Sequence, residues 1–202
     1  MTIKVLLADD QALVRGAMAA LLDLEPDIEV VAEVGNGDEV LTEVQRTAPD
    51  VCLLDIEMPG LDGLAVAEQL AAVVPGCRSL IVTTFGRPGY LRRALDAGAS
   101  GFVVKDTPAK ELAEAVRRVH AGLRVVDPAL ATESLTSGPN PLTEREQEVL
   151  RESLTGAPIA RIASRVHLSA GTVRNHLSSA IGKTDTSTRA EAARVAQDRG
   201  WI

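Results

Sequence analysis

Residues 53–64 read LLDIEMPGLDGL. The stretch ends an apolar run, Val51-Cys52-Leu53-Leu54, in an acid, Asp55. Glu57 follows, then Met58-Pro59-Gly60, then Asp62-Gly63. Four apolar residues bounded by turn signals have the length of a buried strand. The Met-Pro-Gly triplet turns the chain, and Asp62 is placed to cap the helix that starts next. A carboxylate at the end of a core strand, with more acids close behind, asks for a chemical reason.

The same pattern recurs on either side. The run at 3–8 (IKVLLA) stops at Asp9-Asp10, the run at 80–82 stops at Thr83-Thr84, and the run at 101–104 (GFVV) stops at Lys105. A fifth run lies at 29–34. Between the runs, apolar residues recur at spacings of three and four over 12–24, 37–47, 63–73, 88–97 and 108–121. Five strands alternating with five helices imply a five-stranded parallel sheet covered on both faces, a doubly wound α/β unit. In such a sheet the ligand site lies beyond the carboxyl ends of the strands. Asp9, Asp10, Asp55, Thr83 and Lys105 therefore converge at one edge.

Three carboxylates together repel and need a cation or a proton. An oxygen-rich site suits a hard ion that keeps some waters, which points to Mg²⁺. A lysine and a hydroxyl beside it suit a phosphoryl group, whose oxygens take a positive charge and a hydrogen-bond donor. Asp55 is then readable as a nucleophile whose product is an aspartyl phosphate.

The chain has 202 residues, which suits one or two domains. Aromatics make up 2%, so the cores must be aliphatic. No apolar run has membrane-spanning length, and the start has no signal-peptide shape, which predicts a cytoplasmic protein. Cys52 and Cys77 form no C-x-x-C pair and read as buried thiols in a reducing compartment, without a metal or redox role. The net charge of −7 divides unevenly: residues 1–141 carry −9 and residues 142–202 carry +2. An acidic first part and a mildly basic second part point to two modules with different partners.

Residues 1–121 resemble the receiver domain of bacterial response regulators, a flavodoxin-like fold. The residues that carry the likeness are ADDQ (8–11), LLDIEMPGLDG (53–63), VTT (82–84) and GFVVKD (101–106). The resemblance implies that Asp55 takes phosphate from a sensor histidine kinase. It implies Mg²⁺ on Asp10, Asp55 and the backbone carbonyl of Glu57, with Asp9 acting through water. It assigns Lys105 to the phosphate, Thr83 to a hydrogen bond with it, and Phe102 to an aromatic switch moving with Thr83. Beyond self-phosphorylation and weak autodephosphorylation, no enzymatic activity is implied. Asp106 stands where many receivers have a proline. The stretch FGRPGY (85–90) resembles a branch that regulates membrane-lipid desaturase genes.

Residues 122–141 (GLRVVDPALATESLTSGPNP) hold three Pro and two Gly and read as a linker, with room for one helical turn near 128–135. Then Thr143 and Glu146 form a capping-box signature before LTEREQEVL continues as a helix over 144–155. Gly156 ends it, Pro158 opens a second helix over 158–166, and Ser169 caps a third over 170–182. A fourth spans about 187–199. The short connection between the second and third helices is that of a helix-turn-helix.

This all-α, four-helix module, 142–202, resembles the LuxR-type DNA-binding domain of the NarL/FixJ regulators. LTEREQEVL (142–150), IARIASRVHLSAGTVRNHL (159–177), Lys183 and RAEAARVA (189–196) carry the likeness. It implies that helix 170–182 enters the major groove. Arg174 and Asn175, with Ser178 beside them, would reach base edges, and Ser169, Thr172 and Lys183 would hold phosphates. Where the family has Lys-Leu-Gly-Val, this chain has Lys183-Thr184-Asp185-Thr186, which puts the packing of that turn in question.

The whole reads as a phosphorylation-activated, homodimerising transcription factor acting on promoter DNA. Two alternatives stand beside it. One is a DNA-binding regulator without phosphate control. The other is a phosphotransferase of the haloacid dehalogenase type, which needs an Asp-x-Asp pair and a cap domain; here Glu57 holds the second place and no cap-sized insertion exists.

Overall fold

A computed structural model describes residues 2–84, 88–128, 130–132 and 140–202. Residues 85–87 of the FGRPGY stretch lie outside these, as do residues 129 and 133–135 of the helical turn expected near 128–135; residues 128 and 130–132 of that turn are helical. The chain divides into two compact units, the second formed mainly by its C-terminal helices.

In the first unit, strands and helices alternate: β1 (Ile3–Ala8), α1 (Ala12–Leu22), β2 (Ile28–Val34), α2 (Gly37–Thr47), β3 (Val51–Leu54), α3 (Gly63–Val73), β4 (Arg78–Thr83), α4 (Pro88–Asp96), β5 (Gly101–Val104), α5 (Ala109–His120) and β6 (Val125–Val126). All strands pair in parallel, in the order β2-β1-β3-β4-β5-β6. β3 runs through the middle, and all four of its residues are buried, which is why it reads as an unbroken apolar run. On one face, Ala19 and Leu22 of α1 and Leu112, Val116 and Val119 of α5 pack over Val5, Leu7, Val51, Leu53, Leu80, Val82 and Val103. Alternation sends Cys52 and Leu54 to the opposite face, where α2 and α3 pack on the sheet and on each other.

The Asn36 side chain caps α2 by accepting from Asp38 N at 2.9 Å; Asp62 caps α3, as the sequence predicts, by accepting from Ala65 N at 2.7 Å. Gly60 has φ +73°, the left-handed turn that completes Met-Pro-Gly. A Cβ on Gly63 would run into the carbonyl of Asp55, so only glycine lets α3 start this close to the end of β3.

The sheet differs from expectation in one strand. Val125 and Val126, in the stretch read as linker, pair with Gly101 and Phe102 and add a sixth strand. Two residues are too few for length or alternation to signal. Leu112, Val116 and Val119 of α5 lie in the core. By contrast, Leu13 and Leu21 on α1 and Leu24 just beyond its end stay exposed, Leu13 at 87%. Cys52 and Cys77 are both buried, with their sulfurs 3.4 Å apart.

The second unit consists of α6 (Glu144–Ser153), α7 (Ile159–Arg165), α8 (Ala170–Thr184) and α9 (Arg189–Asp198). Leu150, Ile162, Val173, Leu177, Ala180, Ala193 and Trp201 are among the residues of its core. Capping boxes start α6 (Thr143 with Glu146) and α9 (Thr188 with Glu191), and Ser169 caps α8. α8 runs two residues past the expected end at 182. Thr184 is buried, and its hydroxyl donates to Ala180 O at 2.8 Å and lies 2.9 Å from the Thr186 hydroxyl. Asp185 then closes the helix in the left-handed region, φ +53°. The polar Thr-Asp-Thr turn thus satisfies its own hydroxyls where the related Leu-Gly-Val would rely on apolar packing.

Candidate functional site

The carboxyl ends of β1, β3, β4 and β5 bring Asp9, Asp10, Asp55, Thr83 and Lys105 to one edge. Asp9, Asp55 and Thr83 are buried, and Asp10 is exposed. Backbone bonds fix these ends in register: Asp55 N donates to Ala8 O at 2.8 Å, and Lys105 N donates to Thr83 O at 2.8 Å. Lys105 Nζ reaches across to Asp9 Oδ2 at 2.7 Å and to Asp55 Oδ2 at 3.0 Å. The remaining Asp oxygens are partly held by main chain. Gln11 N donates to Asp9 Oδ1, and Ile56 N donates to Asp55 Oδ1.

Oxygen atoms of Asp9, Asp10 and Asp55 all lie within 4.8 Å of one another, a set that could hold a metal ion. Three carboxylates face one ammonium, so two negative charges are left over when all are ionised. The donor set is all oxygen and suits a hard divalent cation. Burial pushes the Asp55 carboxyl above the ordinary range; Lys105 restrains the shift and Asp9 adds to it. Burial alone would lower the Lys105 ammonium, but its bonds to Asp9 and Asp55 outweigh that and hold it raised.

The Glu57 side chain is exposed and stands outside this acidic cluster. Phe102 is fully buried on β5. No cis peptide bond occurs among the described residues, so Lys105–Asp106 is trans. Sequence reasoning missed Arg15. Its guanidinium donates to the carbonyl of Asp9 and lies 3.6 Å from Glu33, bracing the strand end that carries two of the acids. Its signal was weak, a lone basic residue on the half-exposed side of α1.

In the second unit, α8 exposes Arg174, Asn175 and Ser178 on one side, while Val173, Leu177 and Ala180 face the core. Spacings of three and four separate the two faces. At its N-terminus the Ser169 hydroxyl accepts from Thr172 N at 3.0 Å and lies 2.8 Å from the Thr172 hydroxyl. Lys183 is drawn inward: Nζ donates to Glu146 Oε2 at 2.7 Å. Ser179 Oγ donates to Glu146 Oε1 at 2.6 Å, and Thr143 N donates to Oε2 at 2.7 Å. Desolvation raises the Glu146 pKa, but these donors, Lys183 first, outweigh it and bring it down to about 2. Glu146 was legible as the closing residue of a capping box; its second task, tying α6 to α8, depends on a contact 37 residues away.

Comparison with known proteins agrees with both halves. Residues 5–117 match the response regulator receiver domain, and residues 140–196 match the bacterial regulatory proteins of the luxR family. The chain is 45% identical over 202 residues to the transcriptional regulatory protein YvfU of Bacillus subtilis, covering 99% of this chain and all of that one. It is 43% identical over 200 residues to the transcriptional regulatory protein DesR of the same organism, covering 99% of each. Among solved structures, the response regulator ChrA of a heme-sensing two-component system superposes with a TM-score of 0.60 at 33% identity, over 100% of this chain and 99% of that one. The similarity to DesR is matched by that to YvfU, so identity singles out no branch.

Proposed function

Because the chain belongs to the response regulators that join a receiver domain to a LuxR-type DNA-binding domain, we propose that phosphoryl transfer to Asp55 controls its hold on promoter DNA. The observation that carries the reading is Lys105, whose ammonium joins Asp9 and Asp55 inside a three-carboxylate edge.

A sensor histidine kinase is the proposed donor and the cytoplasm the proposed location. Asp55 Oδ attacks the kinase's phosphohistidine phosphorus in line, the P–N bond breaks, the histidine imidazole leaves, and Asp55 becomes the acyl phosphate. Lys105 then transfers its contact from the carboxylate to a phosphoryl oxygen, and the Thr83 hydroxyl donates to another. Asp10, Asp55 and the Glu57 carbonyl would hold Mg²⁺, with Asp9 acting through water; the ion supplies charge neutralisation on the phosphoryl oxygens. The new group brings about −1.5 to −2 charges into the site, enough to pull Thr83 and Lys105 and bias Phe102 between two packings. Hydrolysis of the same bond returns the site to rest.

On DNA, α8 lies in the major groove, with Arg174 and Asn175 on base edges and Ser178 beside them. Ser169 and Thr172 meet phosphates at the helix N-terminus. Lys183 has a competing partner in Glu146, so a phosphate must share its ammonium.

The decisive experiment is Asp55→Asn treated with a small phosphodonor and Mg²⁺. Wild-type protein gains one phosphoryl group in mass, and the variant gains none; a variant modified at another Asp removes Asp55 from the role. For DNA, Arg174→Ala is expected to cost about 1–3 kcal/mol on the operator and to relax preference at one position. Equal weakening on random and specific DNA would mean that Arg174 reads no base.

A further inference from the structure

Cys52 and Cys77 are 25 residues apart in sequence, and the parallel pairing of β3 with β4 puts their sulfurs 3.4 Å apart in the buried interior. Neither takes part in the phosphoryl edge. We propose that the two thiols form a redox-sensitive modification site that closes to an intramolecular disulfide under a two-electron oxidant of the peroxide class.

The geometry favours closure without refolding. A disulfide needs about 2.0 Å between sulfurs, so the gap must shrink by roughly 1.4 Å. Cys52 is held on both sides, since β3 pairs with β1 and β4. Cys77 sits on the tight turn between α3 and β4, where its N donates to Val74 O at 2.9 Å. Pro75, Gly76 and Arg78 around it are exposed, and Gly76 has open space about it. The turn can give, and it is also the side from which a small oxidant arrives.

The pair divides the chemistry. Cys52 can donate its S–H to Cys77, which lowers the Cys77 thiol below its ordinary pKa against the opposing pull of burial and Asp50. The same contact, with full burial, pushes Cys52 well up. Cys77 sits on the turn beside exposed residues, while Cys52 is fixed between two paired strands, so Cys77 is the sulfur that attacks and Cys52 the one that resolves. The Cys77 thiolate takes one oxygen of the peroxide, the O–O bond breaks, and a sulfenic acid and hydroxide result. Cys52 sulfur then attacks Cys77 sulfur, the S–O bond breaks, and the Cys52 proton leaves with the oxygen as water. Two thiols give up two electrons, and one peroxide becomes two waters. The bond would tie the strand that ends at Asp55 to the start of the strand that ends at Thr83.

The test uses the reduced full-length chain and hydrogen peroxide under native conditions. The expected product has lost two hydrogens in mass, has lost both thiols together, and yields a Cys52–Cys77 cross-linked peptide that a dithiol reverses. Its receiver unit should melt several degrees higher, because a loop of this length is closed. Cys52→Ala should stop at a dimedone-reactive sulfenic acid on Cys77, and Cys77→Ser should leave Cys52 inert. Oxygen additions without loss of hydrogens, cross-links between chains, or reaction only after unfolding in urea would each overturn the proposal.

Discussion

At the scale of single residues, two acids with the same ionic partner type are set to different uses. Asp55 meets Lys105 at the open edge of a sheet, where a cation or a phosphoryl group can take over the contact. Glu146 meets Lys183 under the N-terminus of α6, where Thr143 and Ser179 fill its other lone pairs. A carboxylate held at about 2 when folded, against 4.5 when free, favours the folded state above pH 4.5 and loses that contribution as pH falls toward 2. At neutral pH the shift corresponds to about 3 kcal/mol. Trp201 is the chain's one tryptophan and is buried in the second unit, so its fluorescence follows this unit. Denaturant midpoints read that way should be lower in Glu146→Gln than in wild type at pH 7, and the gap should narrow steadily between pH 5 and pH 3. A gap independent of pH would mean that the charge is not what stabilises. Lys183→Ala leaves the same buried acid unpaired, so it should lower this midpoint while changing the salt dependence of DNA binding by less than the unit expected of a free phosphate contact. A full unit would return Lys183 to the DNA.

At the scale of elements, most of the fold was legible because each element announces itself locally. The strands of the first unit end in the polar residues that build the site, and Asp62, Thr143 and Ser169 cap helices where their spacing says they should. The acidic edge was legible for the same reason: parallel topology alone collects strand ends. Four features were not. β6 is two residues long and takes its stability from the edge of β5 rather than from its own pattern. The sulfur pair and the Glu146–Lys183 bond join residues 25 and 37 positions apart, and their meeting depends on the packing of whole elements. The end of α8 was misjudged by two residues, since Thr184 and Asp185 prefer caps to helix interiors and here do both. Asp185 in the left-handed region is strained relative to glycine. Asp185→Gly should therefore raise the stability of the second unit by about 1 kcal/mol, again read at Trp201, with unchanged base preference. A loss of stability would show that the aspartate makes a compensating contact in solution.

At the scale of the whole molecule, the two units carry opposite charge, −9 over residues 1–141 and +2 over 142–202. A surplus of two is modest for a DNA-binding unit, so a single copy is expected to bind weakly. Two copies held together change this, because the second contact with DNA becomes intramolecular and gains from effective concentration. We propose α1 as the dimerisation surface, since Leu13 and Leu21 stay exposed on it and Leu24 just beyond its end. Leu13→Glu places a charge in that face at a residue 87% exposed, so folding should be unaffected. The variant should accept phosphate at Asp55 as wild type does, stay monomeric by light scattering, and lose the phosphate-dependent rise in operator affinity. Its affinity for a single half-site should be unchanged, since no group on the DNA-facing side of α8 is altered. Measured together, mass, oligomer size and operator binding separate the steps. If phosphorylated Leu13→Glu remained monomeric on and off DNA yet bound the operator as tightly as phosphorylated wild type, dimerisation would not be the switch, and phosphate would have to act within one chain.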